Sequence, residues 1–260
     1  MSFNAKEHLP GVWQITCHMG VCCTLLIGKE RALLVDAGYG LEDLSAYVGA
    51  LTDKPVQLLL THGHHDHALG AMHFKSPWLF PEDAAVYRTY VGKQQRKRVA
   101  DNAKANGIQF DMDRFMDSRL PETTIPPKSV DLRDLTAKII LCPGHTPGSA
   151  VVYVPERKLL LTGDDWNPVT WCFFPDSLPV SEYRENVRTL KSLPFQYVLC
   201  SHREELWQRK TLVSFLDGLT DECLKEAKPS EEGRYRGINT YTAHPAEGQI
   251  LVFDRDRAPF

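Results

Sequence analysis

The sequence predicts an α/β fold, and three observations carry that prediction. Short apolar runs of strand length alternate with segments of helical periodicity. Several of those runs end in loops bearing His or Asp, the usual way a sheet presents a site. The 260 residues, 43% of them hydrophobic, suffice to bury a substantial core.

Val12 to Cys17, Cys22 to Ile27 and Ala32 to Asp36 read as strands of a meander, divided by turn signals at Met19-Gly20 and Gly28-Lys29-Glu30. Leu41, Leu44, Val48 and Leu51 then recur at helical spacing, and Lys54-Pro55 closes that helix before the apolar run Val56 to Leu60. From Pro81 to Asp117 the chain is polar and helical, an expected insertion over the sheet serving substrate selection or self-association as a homo-oligomer. Lys138 to Leu141, Ser149 to Val154 and Lys158 to Thr162 restore the strand pattern. Ser181 is expected to cap a helix burying Tyr183, Val187 and Leu190, ahead of a strand from Tyr197 to Cys200. One longer helix is expected along Leu212, Leu216, Leu219 and Cys223, and a hairpin, Ile238 to Tyr241 and Gln249 to Phe253, ends the chain. A single domain over residues 1–260 is expected, with 203–260 as its C-terminal helix and hairpin.

A formal net charge of −3 offers no general attraction for nucleic acid or an anionic membrane. The basic run Lys93 to Arg98 reads as the solvated face of a helix. The N-terminal residues lack the pattern of a signal peptide, no stretch has the length of a membrane span, and the seven scattered cysteines suit reduced core thiols, so a cytoplasmic location is expected.

The most informative segment is Thr61-His62-Gly63-His64-His65-Asp66-His67, which follows a buried strand. His62 and His64, two apart, can project to one side of extended chain, while Asp66 and His67 follow in a turn that can face a second ion. Three further candidates stand just beyond strands: His145 in Cys142-Pro143-Gly144-His145-Thr146-Pro147-Gly148, Asp164 in Leu161-Thr162-Gly163-Asp164, and His202 in Leu199-Cys200-Ser201-His202. His65 is expected to point away from its neighbours. His8, His18, His73 and His244 have no spacing partner, with His18 a candidate for the pocket rim.

Taken in this order, these motifs resemble the metallo-β-lactamase superfamily, in particular its glyoxalase II-like and lactonase-like hydrolases, from the segment Leu33-Leu34-Val35-Asp36-Ala37-Gly38 to His202. The resemblance implies a four-layer αββα sandwich. It also implies two divalent metal ions, one held by His62, His64 and His145 and one by Asp66, His67 and His202, with Asp164 between them. Zinc is the first expectation for both ions, with iron and manganese as alternatives. Asp36, which from the residues alone reads equally as a turn carboxylate, resembles the family's aspartate that orients ligand imidazoles. Asp165 is expected in a similar supporting place.

The chemistry expected of such a site is hydrolysis of a small-molecule substrate. Two divalent ions lower the pKa of a shared water toward about 7, giving a hydroxide that attacks the carbonyl of an ester, thioester or lactone. Asp66 and Asp164 are the catalytic carboxylates, Asp66 also steering a proton. Trp166, Trp171, Phe173 and Phe174, in the segment after Asp164, read either as a buried cluster or as the wall of an apolar substrate pocket. Glutathione is disfavoured as part of the substrate because no convincing basic set accompanies the motifs, and Ala68-Leu69-Gly70 departs from the glycine expected after Asp66-His67. The alternative activity is a mono-iron persulfide dioxygenase, which shares the motifs but uses part of the ligand set.

Overall fold

The computed structural model describes residues 3–235 and 237–258. The chain begins with β1 (Asn4–Leu9), β2 (Val12–Thr16), β3 (Cys22–Ile27) and β4 (Ala32–Val35), each antiparallel to the last. Then α1 (Leu44–Leu51) crosses over so that β5 (Val56–Leu59) lies parallel to β4, completing a five-stranded sheet. The helix starts at Leu44 because the Asp43 carboxylate accepts from Ala46 N at 3.1 Å. The four residues of β4 are all buried, as expected of a strand covered on both faces.

The motif loop leaves β5 and ends in the single turn α2 (His65–Ala68). Pro81 opens a 3-10 turn that leads into α3 (Ala84–Tyr90), α4 (Lys93–Ala105) and α5 (Met112–Asp117), which cover the outer face of the first sheet. The basic run on α4 is not wholly solvated. Arg96 is buried, and its guanidinium donates to the carbonyls of Val91, Phe115, Met116 and Ser118, fastening the end of α5.

The second half adds β6 (Ser129–Asp131), β7 (Thr136–Leu141), β8 (Ala150–Val154), β9 (Leu159–Leu161) and β10 (Val169–Cys172). After α6 (Val180–Arg188) come β11 (Tyr197–Leu199), β12 (Trp207–Gln208), α7 (Arg209–Gly218), α8 (Asp221–Lys225), β13 (Lys228–Tyr235), β14 (Ile238–Ala246) and β15 (Gln249–Asp254). A six-stranded sheet has the order β12-β11-β9-β8-β7-β6, and a four-stranded sheet the order β10-β15-β14-β13.

Val12, Leu26, Leu33 and Leu59 of the first sheet meet Ala137, Val152, Leu161 and Leu199 of the second in a shared apolar layer. Helices and the small sheet pack outside, with Tyr183, Phe215, Leu251 and Phe253 in the C-terminal layer. The arrangement is an αββα sandwich with a third sheet added at its C-terminal side. No helix among the described residues is long and apolar enough to cross a membrane.

Three expectations require correction. Ser181 does not cap its helix: Pro179 precedes the first turn, where a missing N–H costs nothing, and Ser181 lies inside it. The expected long helix is two, because the Thr220 hydroxyl accepts from Cys223 N at 3.2 Å and starts a new one. Gly218 ends α7 so close to the Pro245 carbonyl of β14 that a Cβ would overlap it. The terminal hairpin is part of the four-stranded sheet, whose edge strands β10 and β13 lack a sequence signal strong enough to predict them.

Candidate metal centre

The first ligand group forms where β5 and β7 deliver their loops to one end of the sandwich. His62, His64 and His145 are all buried, and one ring nitrogen from each lies within 4.8 Å of the others. A second group, Asp66, His67, Asp164 and His202, meets the same distance. Asp164 touches both: its Oδ2 lies 3.1 Å from His202 Nε2, 3.4 Å from His67 Nε2 and 3.6 Å from His145 Nε2. His65 belongs to neither group and turns its Nδ1 to Asp66 Oδ1 at 3.0 Å. His18 is outside the metal cavity, 3.5 Å from Glu42.

Outer partners set the tautomers. His145 Nδ1 donates to the Trp171 carbonyl at 2.7 Å, an oxygen that can only accept, which leaves Nε2 as the inward lone pair. His67 Nδ1 likewise donates to Asp36 Oδ2 at 2.8 Å. The Thr61 hydroxyl donates to Asp36 and receives His62 Nδ1 at 3.1 Å, so one aspartate orients two imidazoles. Asp36 itself has φ 67°, a left-handed conformation uncommon outside glycine, and the Thr61 N–H bond of 2.7 Å to its carboxylate helps hold it there.

His64 is oriented by a residue that motif reasoning missed. Its Nε2 donates to Asp176 Oδ2 at 2.7 Å, and Asp176 Oδ1 receives the Tyr90 hydroxyl at 3.0 Å. Asp83 was missed as well: fully buried, it accepts from Gly63 N at 2.6 Å and from Gly148 N at 2.8 Å, joining the two loops that carry the first group. Both acids sit in ordinary Phe-Pro contexts, Phe80-Pro81-Glu82-Asp83 and Phe174-Pro175-Asp176, which carry no spacing signal. Asp165 supports the His145 backbone rather than an imidazole, with Oδ1 3.3 Å from His145 N.

The residues fit cations. With outer nitrogens tied, His64 Nδ1 and His145 Nε2 face each other at 2.9 Å, where two lone pairs repel unless a positive charge lies between them. His62 Nε2, His67 Nε2 and Asp164 Oδ1 are buried without a hydrogen-bond partner, a costly state that coordination relieves. Burial, followed by the neighbouring imidazoles, holds the His62 pKa well below its usual value, and burial brings His145 down to about 4. Burial pushes the Asp164 carboxyl up, but His202 and His67 outweigh it and hold the pKa well below the ordinary range. The second group differs: burial lowers the His67 and His202 pKa values, but the facing carboxylates, Asp164 foremost, outweigh it and raise both. These imidazoles carry protons that a divalent ion would displace, while the first group already offers neutral imidazoles.

Above these groups opens a cavity of about 430 Å³, walled by Tyr39, Tyr90, Trp171 and Phe174, with Gln95, Asn167 and Arg203 among its polar residues. Of the four aromatics expected in the substrate wall, Trp166 is not there. It is fully buried in the C-terminal core, with its indole N–H bonded to Gln249 Oε1 at 3.1 Å. Phe173 is buried as well and faces a neighbouring groove.

Residues 19–202 match the metallo-beta-lactamase superfamily. The chain belongs to that superfamily. It is 26% identical over 197 residues to an acyl-coenzyme A thioesterase, MBLAC2, of Gallus gallus, covering 65% of this chain and 66% of the relative. It is 25% identical over 152 residues to the hydroxyacylglutathione hydrolase GloC of Haemophilus influenzae, covering 58% and 68%. The chain thus spans about two thirds of the length of these curated relatives. Among solved structures, a metallo-beta-lactamase family protein of Thermus thermophilus aligns over 96% of this chain and 100% of its own, with a TM-score of 0.58 at 17% identity. That similarity shows the fold.

Proposed function

We propose that this protein is a dinuclear metal-dependent hydrolase acting on a small ester, thioester or lactone. The observation that carries the reading is Asp164, which lies within reach of two complete ligand groups rather than one. His62, His64 and His145 would hold one ion, Asp66, His67 and His202 the other, and Asp164 would bridge. Imidazole and carboxylate donors suit zinc first and accommodate iron or manganese. When bound, two such ions lower the pKa of a shared water toward about 7 and polarise a substrate carbonyl.

The chain's own residues do the positioning. Asp36, Asp176 and the Trp171 carbonyl fix the imidazole rings from behind. Asp66 itself lines the cavity and is placed to pass a proton toward its mouth. Trp171 and Phe174 hold the apolar part of a substrate. Because relatives are named as an acyl-coenzyme A thioesterase and a hydroxyacylglutathione hydrolase, we place a thioester first among candidate substrates. Among the lining residues only Arg203 carries a lysine or arginine charge, which still speaks against a site built for glutathione.

Elemental analysis of protein purified without added metal or chelator tests this reading. About two ions per chain are expected, together with thioester hydrolysis that a chelator abolishes and metal restores. A single iron per chain, no uptake of a second metal, and oxygen consumption with a persulfide would replace it with the dioxygenase.

A further inference from the structure

We propose that the metal cavity continues into a second binding surface, a groove on the outer face of the C-terminal sheet, which takes the unbranched acyl chain of the substrate. The proposal rests on the hydrolase reading above for its acyl substrate, and on sheet geometry for its place. Along β10, Thr170 and Cys172 turn into the core, so Val169 and Trp171 face outward. Both line the metal cavity, and Trp171, 42% exposed, also lines the groove.

Strand register carries the outward row across the sheet. Val169 pairs with Ile250 and Trp171 with Val252 on β15; Val252 pairs with Thr242 on β14, and Thr242 with Lys228 on β13. Ile250, Val252, Thr242 and Lys228 all line the groove, which has a volume of about 460 Å³ and a mostly apolar surface. It is as large as the cavity it adjoins, and both fall in the range of roughly 300–1,000 Å³ common for ligand sites. The junction is anchored. Because the Trp171 carbonyl receives His145 Nδ1, the residue opening onto the groove is tied to a candidate metal ligand.

The chemistry of the two linings selects the occupant. Gln95, Asn167 and Arg203 make one part of the cavity polar, suited to a polar leaving group. The apolar part, Val169, Trp171 and Phe174, leads to a strip whose one lysine or arginine among the lining residues is Lys228, on the strand furthest from β10. An open strip crossing neighbouring strands suits a linear aliphatic chain, which buries methylenes along its whole length.

The test uses the metal-loaded protein with p-nitrophenyl esters from acetate to decanoate, and with free decanoate followed by calorimetry. We expect kcat/KM to rise about twofold per added methylene, half of the roughly fourfold that complete burial would give. Ile250→Glu and, separately, Thr242→Glu should flatten that slope and weaken decanoate binding at least tenfold. Decanoate binding that the two variants weaken, with no ester or thioester hydrolysed, would keep the groove and sink the hydrolase reading. Hydrolysis indifferent to chain length, without decanoate binding, would overturn the groove and leave the hydrolase. A dimer that Ile250→Glu dissociates, again without chain-length preference, would overturn it in favour of a second copy as occupant.

Discussion

Asp83 accepts the backbone N–H of Gly63 at 2.6 Å, and so a carboxylate at the entrance to the helical segment fixes the backbone between His62 and His64. Its other oxygen holds Gly148, three residues beyond His145. A Cβ at Gly148 would lie 2.6 Å from Asp83 Cβ, and one at Gly63 2.4 Å from Tyr87 N, so both glycines are required by close approach. Asp83→Asn keeps the shape but aims an amide N–H at one of the two backbone donors. We expect a loss of about 1–3 kcal/mol in stability by denaturant titration, with weaker metal retention by the folded protein. Unchanged metal retention would show that the clamp is purely structural.

Asp164→Ala should remove metal and hydrolysis together, because it takes one ligand from each proposed ion. His65→Ala should keep both, since His65 lies outside both groups. Metal content and turnover on the same preparations check this, and full activity in the Asp164 variant would end the bridging assignment.

Asp176→Asn retains an acceptor for His64 Nε2 but loses the charge that makes the imidazole a stronger donor to metal. Metal affinity of the first group is expected to fall about 10–100-fold in competition with a chelator. Tyr90→Phe removes only the hydroxyl bond to Asp176 and should fall in the same direction by less. Equal affinity in all three proteins would separate Asp176 from metal binding.

Arg96→Ala probes the helical segment away from the metal. The substitution strands the carbonyls of Phe115, Met116 and Ser118 that the guanidinium now serves. A destabilisation of about 2–4 kcal/mol is expected in thermal or denaturant unfolding. Arg96→Lys should recover only part of it, because one ammonium cannot reproduce the planar fork. A surface-like change under about 0.5 kcal/mol, the usual limit for substitutions away from such features, would contradict the role.

The residues that the sequence by itself determined are those whose chemistry is local. The runs of β3, β4 and β5 announced themselves because a covered strand favours a short, mostly apolar segment, which β4 meets with four aliphatic residues and β3 and β5 meet with one or more polar or thiol side chains among them. His62, His64, Asp66 and His67 were legible as candidates because His and Asp at such short spacing form a pattern that packing seldom produces, whereas His145, Asp164 and His202 stood out only by their places just after strands and by the family resemblance. Tertiary structure alone decided the rest. Asp83 and Asp176 are single acids without spacing partners, and only folding brings them to Gly63 and His64, 20 and 112 residues away. Trp166 and Trp171 look alike in the chain, yet alternation about β10 and contact with Gln249 send one into the core and leave the other at the cavity mouth. The edge strands β10 and β13 likewise became strands through pairing with distant partners, since short segments of ordinary composition take strand form only when a neighbour supplies the ladder.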